Sequence, residues 1–240
     1  MMTSSQSQGF SLLELSIVLV IIGLLASGVM VGQSLVRGAE MRSIVTDYNK
    51  FLSAINGFRD KYNAVPGDMR NAFAFWGAAC GTNATTVSTG CNGDGDGAIE
   101  SNQNGESLKA WEHLSRAGLI EGSFDGTAVF SASTPTVTQA NIAEGKFPSS
   151  AWNIGTLPVE AAFVMDTMPG RQWLAIGSVG PTATDGWVDG LVALTNSDAW
   201  SLDKKMDNGN LGSGVVGVSD SPSDCNDTGS DGCAMLLLVK

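Results

Sequence analysis

Between Phe10 and Gln33 the sequence has one ionisable residue, Glu14, at the head of a largely apolar run from Leu15 to Val31. An isolated carboxylate in hydrocarbon costs several kcal/mol, and a nearby ammonium removes much of that cost. Glu14 is therefore a functional candidate that calls for a cationic partner. A second constellation is Asn92-Gly93-Asp94-Gly95-Asp96-Gly97-Ala98-Ile99. Side-chain oxygens at alternate positions, a glycine for the sharp turn and a following apolar residue reproduce the first part of an EF-hand-type calcium loop. Its candidate Ca2+ ligands are Asn92, Asp94, Asp96 and the carbonyl of Ala98. The twelfth position is Gln103 instead of a bidentate Glu, so Glu100 or Glu106 has to complete a shell of about six to eight oxygens. The competing reading is a Gly/Asp-rich turn between helices. Third come the four cysteines, Cys80, Cys91, Cys225 and Cys233. They form no CxxC, which disfavours zinc and thioredoxin-like chemistry, and pairing Cys80 with Cys91 and Cys225 with Cys233 closes two short loops. The other two connectivities stay open. The single histidine, His113, lies in a helical pattern beside Trp111 and Leu114, where packing or surface exposure is the expected role.

No GxSxG, HExxH or P-loop is present, and Asp203 and Asp207 read as a charged surface or turn support near a helix end. We therefore expect no enzyme. The formal charge of −11, with 13 Lys and Arg in 240 residues, opposes a nucleic-acid surface. Cysteines confined to the region past residue 79 fit an exported domain in an oxidising compartment.

These groups require elements to position them. About 20 mostly apolar residues cross a bilayer, so the stretch after Phe10 reads as a membrane helix. Gly28-x-x-x-Gly32 has the small-residue spacing that lets helices approach in lipid, although membrane helices also simply tolerate glycine. Past Gln33 the helical period continues while polarity changes: Ile44, Tyr48, Phe51, Ile55, Phe58 and Tyr62 recur at intervals of three and four. Phe10 to Tyr62 is thus expected to form one helix of ~80 Å, ended by Pro66-Gly67. Beyond it, Asp68 is expected to cap a short helix through Trp76, and Glu106 to Ala117 to form a helix closed by Gly118. Phe124 to Pro158, rich in Ser, Thr, Ala and Gly, reads as an irregular or short-stranded surface region. Ala161 to Met165, Arg171 to Val179 and Ala234 to Val239 read as strands, the first two joined at Met168-Pro169-Gly170. Asn196, Ser197 and Asp198 offer caps for a helix through Met206, ended by Asn208-Gly209.

The phrase Gly9-Phe10-Ser11-Leu12-Leu13-Glu14 with its apolar continuation resembles the class III leader and helix start of the type IV pilin family, shared with the pseudopilins of type II secretion. The resemblance implies a cut after Gly9, N-methylation of Phe10 as the new N-terminus, and pairing of Glu14 with the N-terminal amine of a neighbouring subunit during assembly. Unlike most leaders of that family, Met1 to Gly9 contains no Lys or Arg. The implied fold is α+β and pilin-like, a long N-terminal helix packed on a small antiparallel sheet. The implied domains are a leader at 1–9, a transmembrane and assembly half-helix at 10–35, an amphipathic half-helix at 36–62 and a globular domain at 63–240. A disulfide-bounded C-terminal loop, here Cys225 to Cys233, is likewise a family feature.

The expected function is a structural subunit of a type IV pilus-like surface filament, held in the inner membrane with a periplasmic globular domain before export. Its partners are then identical or related pilin subunits, a prepilin peptidase, an inner-membrane assembly platform and membrane lipid. The alternatives are a type II secretion pseudopilin and a membrane-tethered, calcium-dependent adhesin. Apart from Ca2+ no cofactor is expected.

Overall fold

The computed structural model describes residues 11–80, 90–99, 105–126, 129–131, 134–136, 142–146, 150–156, 171–178, 194–211, 213–218 and 235–239. The protein divides into two compact units, Met1–Arg42 and Ser43–Lys240. Helix α1, Leu12–Tyr62, begins in the first and ends in the second.

Within the second unit, α1 buries the face that its period marks. Ile44, Tyr48, Phe51, Ile55 and Phe58 are all buried, and each large apolar side chain taken from water contributes about 1.5–3 kcal/mol. Phe51 meets Trp111 and Trp152 edge-on, with ring centroids 4.9 and 5.5 Å apart. The Tyr48 hydroxyl donates to the Leu238 carbonyl at 2.7 Å. The helix stops at Asn63, which takes a positive φ of 50° while its N–H still bonds the Arg59 carbonyl. Asparagine enters this region more readily than most residues, so the stop is local.

The remaining elements are α2 (Ala72–Trp76), a 3-10 turn (Gly77–Cys80), α3 (Glu106–Arg116), a hairpin of β1 (Val129–Ser131) and β2 (Thr134–Thr136), then β3 (Ala143–Glu144), β4 (Ser150–Thr156), β5 (Gln172–Ser178), α4 (Asn196–Met206), β6 (Val216–Val218) and β7 (Met235–Leu238). Strands β3 to β7 form one antiparallel sheet in the order β3-β4-β5-β7-β6. The fold is therefore α+β: a long N-terminal helix, apolar in its first part, and a small antiparallel sheet domain.

The structure corrects several local expectations. Phe124 to Pro158 is not a surface region throughout, because β4 lies inside the sheet with Trp152 and Ile154 fully buried. Its polarity does not alternate because nearly the whole strand is buried, and small residues there make room for large neighbours. At Gly155 an added methyl group would collide with the Trp173 ring. Asp68 does not cap α2, which starts after Asn71; its carboxylate accepts from the Gly95, Asp96 and Gly97 N–H groups instead. Helix α4 is capped by Thr195, one residue before the expected group. Thr195 Oγ1 accepts from the Asp198 N–H and Asp198 Oδ2 from the Thr195 N–H, both at 3.3 Å. Asp203 is fully buried, not a surface charge. The expected strand Ala161 to Met165 and the turn Met168-Pro169-Gly170 lie outside the described residues.

Candidate functional site

Glu14 stands in the first turn of α1. The Ser11 N–H donates to Glu14 Oε2 at 2.9 Å, and the Leu13 N–H donates to Ser11 Oγ at 3.3 Å. This reciprocal pair satisfies donors that a helix start leaves open. Serine followed three residues later by glutamate is the sequence signature of such a cap, a role additional to charge pairing. The large apolar side chains of this first part of α1 are exposed, among them Leu12 at 87%, Leu24 at 70% and Met30 at 68%. By length and composition α1 is able to cross a membrane. Gly9 and Phe10 lie outside the described residues.

The second candidate lies in the Ser43–Lys240 unit. Asp68, Asp94 and Glu106 each offer a carboxylate oxygen, and these atoms lie within 4.8 Å of one another. The three arrive from separate segments. Gly67, with a φ of +94°, brings the backbone so close to the Glu106 carbonyl that a Cβ would strike it, so glycine is needed for Asp68 to reach α3. Asp94 comes from the loop before α3, and its N–H donates to Glu106 Oε1 at 2.9 Å. Glu106 opens α3 and is fully buried. Burial raises the Asp68 carboxyl above its usual range, Asp96 and Asp94 push the same way, and the Gly97 and Gly95 N–H groups oppose them. Burial also depresses Lys109, opposed by Glu106, Glu112 and Asp94. The Lys109 ammonium donates to the Asn92 carbonyl at 3.0 Å.

This arrangement differs from a loop ligated in series. Asn92 Oδ1 accepts from the Phe73 N–H at 2.9 Å, and the exposed Asp96 accepts from the Ala98 N–H at 2.8 Å. Asp94 is the one member of the alternating set that joins the carboxylate cluster. The sequence marked Asp68 only as a helix cap and not as a ligand, since it lies far upstream of Asp94 and its approach depends on a turn. Glu100 and Gln103 lie outside the described residues. The cluster has the oxygen chemistry to hold a metal ion.

A third node ties these segments together. Cys80 and Cys91 form a disulfide with Cα atoms 5.1 Å apart. His113, fully buried on α3, accepts the Gly67 N–H at Nδ1 over 2.8 Å and faces the Cys91 carbonyl from Nε2 at 2.6 Å. Because Nδ1 accepts, the ring proton resides on Nε2. The imidazole stacks on Phe58, 5.8 Å away and 6° from parallel. Burial, assisted by Lys109 and Arg116 and opposed by the Cys91 carbonyl, lowers its pKa from 6.5 to about 4. Cys225 and Cys233 lie outside the described residues.

An acidic residue at the head of an exposed apolar helix, followed in the chain by a small mixed domain, fits a membrane-anchored protein. Residues 4–30 match the family model for the prokaryotic N-terminal methylation motif. That motif is the class III leader of type IV pilins and pseudopilins, so it supports a pilin- or pseudopilin-like prepilin and points to a structural protein. In general it implies processing by a prepilin peptidase and association with pilin subunits. No curated protein and no solved structure matches the sequence.

Proposed function

We propose that the protein is a prepilin cut after Gly9, anchored in the inner membrane by residues 10–35 and assembled into a type IV pilus-like filament with the domain from residue 63 onward displayed on it. The observation that carries this reading is Glu14 as the sole ionisable residue of the apolar helix start, inside the matched methylation motif. A neighbour's Phe10 amine supplies the opposite charge that a carboxylate in lipid requires. Removal of residues 1–9 leaves the apolar helix in place as the anchor. Mass spectrometry of the mature protein is expected to find Phe10 first, carrying an N-methyl group. A mature protein beginning at Gly32 or later would exclude the reading.

The carboxylate cluster favours a second component, calcium binding by the displayed domain. Asp68, Asp94 and Glu106 are its ligands in this reading, and Asn92, Asp96 and the Ala98 carbonyl would join them only if the loop rearranged. A ligand at about 100 times its Kd stabilises the folded state by ~2.7 kcal/mol. Millimolar calcium is therefore expected to raise the melting temperature of the wild type and to leave Asp94→Asn unchanged. Equal melting of the wild type with calcium and with a chelator would remove the metal from the site.

A further inference from the structure

From residue 63 onward the chain has 20 Asp and Glu against 8 Lys and Arg. Lys204 and Lys205 are the one place in that stretch where two basic residues are adjacent. Both are exposed in the last turn of α4, and neither forms an ion pair among the described residues. Lys204 instead holds its ammonium over the Trp200 ring, 4.9 Å from the centroid. Trp200 is itself 48% exposed. Among the described residues of the Ser43–Lys240 unit, the other large apolar side chains left so open are Phe73 and Phe75 on α2, and Phe75 is covered on one side by Tyr62, edge-on at 5.2 Å.

The helical period gathers these groups on one side. Ala199, Leu202 and Asp203 are fully buried, whereas Ser197, Trp200 and Lys204 are exposed at spacings of three and four, with Lys205 at the edge. Of the acids nearby, Asp198 is tied into the Thr195 cap, and exposed Asp207 accepts the Val215 N–H at Oδ2 over 2.5 Å. Tryptophan is enriched among the residues that dominate interface energetics, and cations around it select an acidic counterpart. The protein's own surface is such a counterpart. A helical filament of one subunit joins two different patches of each copy, so a basic, aromatic patch on one copy requires an acidic patch on the next. Domains with this acidic excess repel one another, most strongly within the screening length of about 8 Å at physiological salt. Close packing of such domains therefore needs positive charge at the contact.

We propose that the exposed face of α4, Trp200 with Lys204 and Lys205, is a docking surface for the acidic surface of a second copy of this chain. The inference rests on the filament assembly proposed for the protein. The Trp200 ring is the apolar anchor of the contact, and the two ammonium groups offset the negative charge of the neighbouring domain.

The test places a photo-cross-linking amino acid at position 197 of the full-length protein, one turn before Trp200, and irradiates sheared filaments. A covalent dimer of the chain is expected, joined from position 197 to a peptide that contains Asp or Glu. In parallel, Lys204→Glu combined with Lys205→Glu is expected to lower filament yield at least about tenfold, with N-terminal processing and melting temperature unchanged. Lys204→Arg combined with Lys205→Arg is expected to keep the yield. If filaments form but position 197 joins no second copy, or captures only lipid or a different protein, the docking surface is overturned and the filament reading stands. Assembly of the charge-reversed variant at the wild-type yield has the same consequence. Absence of filaments from the wild type overturns the filament reading and the docking surface with it.

Discussion

Replacing His113 with glutamine is expected to remove a loss of stability that the wild type suffers between pH 6.5 and about 4. The folded His113 pKa is depressed to about 4, chiefly by burial, against 6.5 for the free side chain. Below pH 6.5 the unfolded protein gains a proton that the folded protein refuses. The stability contributed by neutral His113 is thus fully present above pH 6.5 and falls away as the pH drops to about 4. At ~1.4 kcal/mol per pH unit the whole interval is worth ~3 kcal/mol. Beside that burial, the Gly67 N–H donates to Nδ1 and would meet a second N–H on an imidazolium. At pH 7 the glutamine variant is expected to be less stable than the wild type by about 1–3 kcal/mol, because a single amide is unable to serve both Gly67 and Cys91. That deficit should shrink on acidification. Asp68 and Glu112, both raised by burial, act in the opposite sense, gaining stability as pH falls, and their contribution cancels in the comparison of the two proteins. Denaturant melts of full-length wild type and His113→Gln in detergent measure the difference. Curves that stay parallel from pH 7 to 4.5 would show that His113 does not titrate as its burial requires.

The parts of the molecule legible in the sequence are those whose physics is local. The Ile44 to Phe58 spacing announced a buried helical face, and the structure buries each member. Strands β5 and β7 were visible as apolar runs, and α3 by its period and its closing Gly118. Strand β4 was not legible, because a strand buried along nearly its whole length carries no alternation. Its Trp152 and Ile154 stand among Ser, Gly and Asn that pack tightly instead of facing water. The carboxylate cluster was half legible. The Asp-Gly repeat marked Asp94, whereas Asp68 reaches the cluster through the turn at Gly67, a tertiary contact that no window around Asp94 contains. His113 was invisible as a structural node for the same reason, since its partners Gly67 and Cys91 lie 46 and 22 residues away.

The assembly role proposed for Glu14 leads to the largest expected effect, and the capping pair at Ser11 sharpens how to measure it. Substitution by valine removes both the charge and the acceptor for the Ser11 N–H, so a loss of filaments in that variant has two explanations. Glutamine separates them. It keeps a side-chain oxygen at the third helical position, which serves a cap as well as glutamate does, and removes only the charge. If Glu14 pairs with the Phe10 amine of a neighbouring subunit, Glu14→Gln leaves that ammonium without its partner in a low-dielectric setting, at a cost of ~3–5 kcal/mol. Filament yield in the sheared fraction is then expected to fall at least about tenfold, with total protein and N-terminal processing unchanged and the unassembled subunits retained in the membrane. Glu14→Asp keeps the charge on a shorter stem and is expected to be intermediate. Glu14→Val should match the glutamine variant in filament yield, since neither carries the charge. Should glutamine assemble at the wild-type level while valine does not, the carboxylate acts as a helix cap and its charge is dispensable. Should both assemble normally, Glu14 has no part in register and the helix serves only as a tether for the domain behind it.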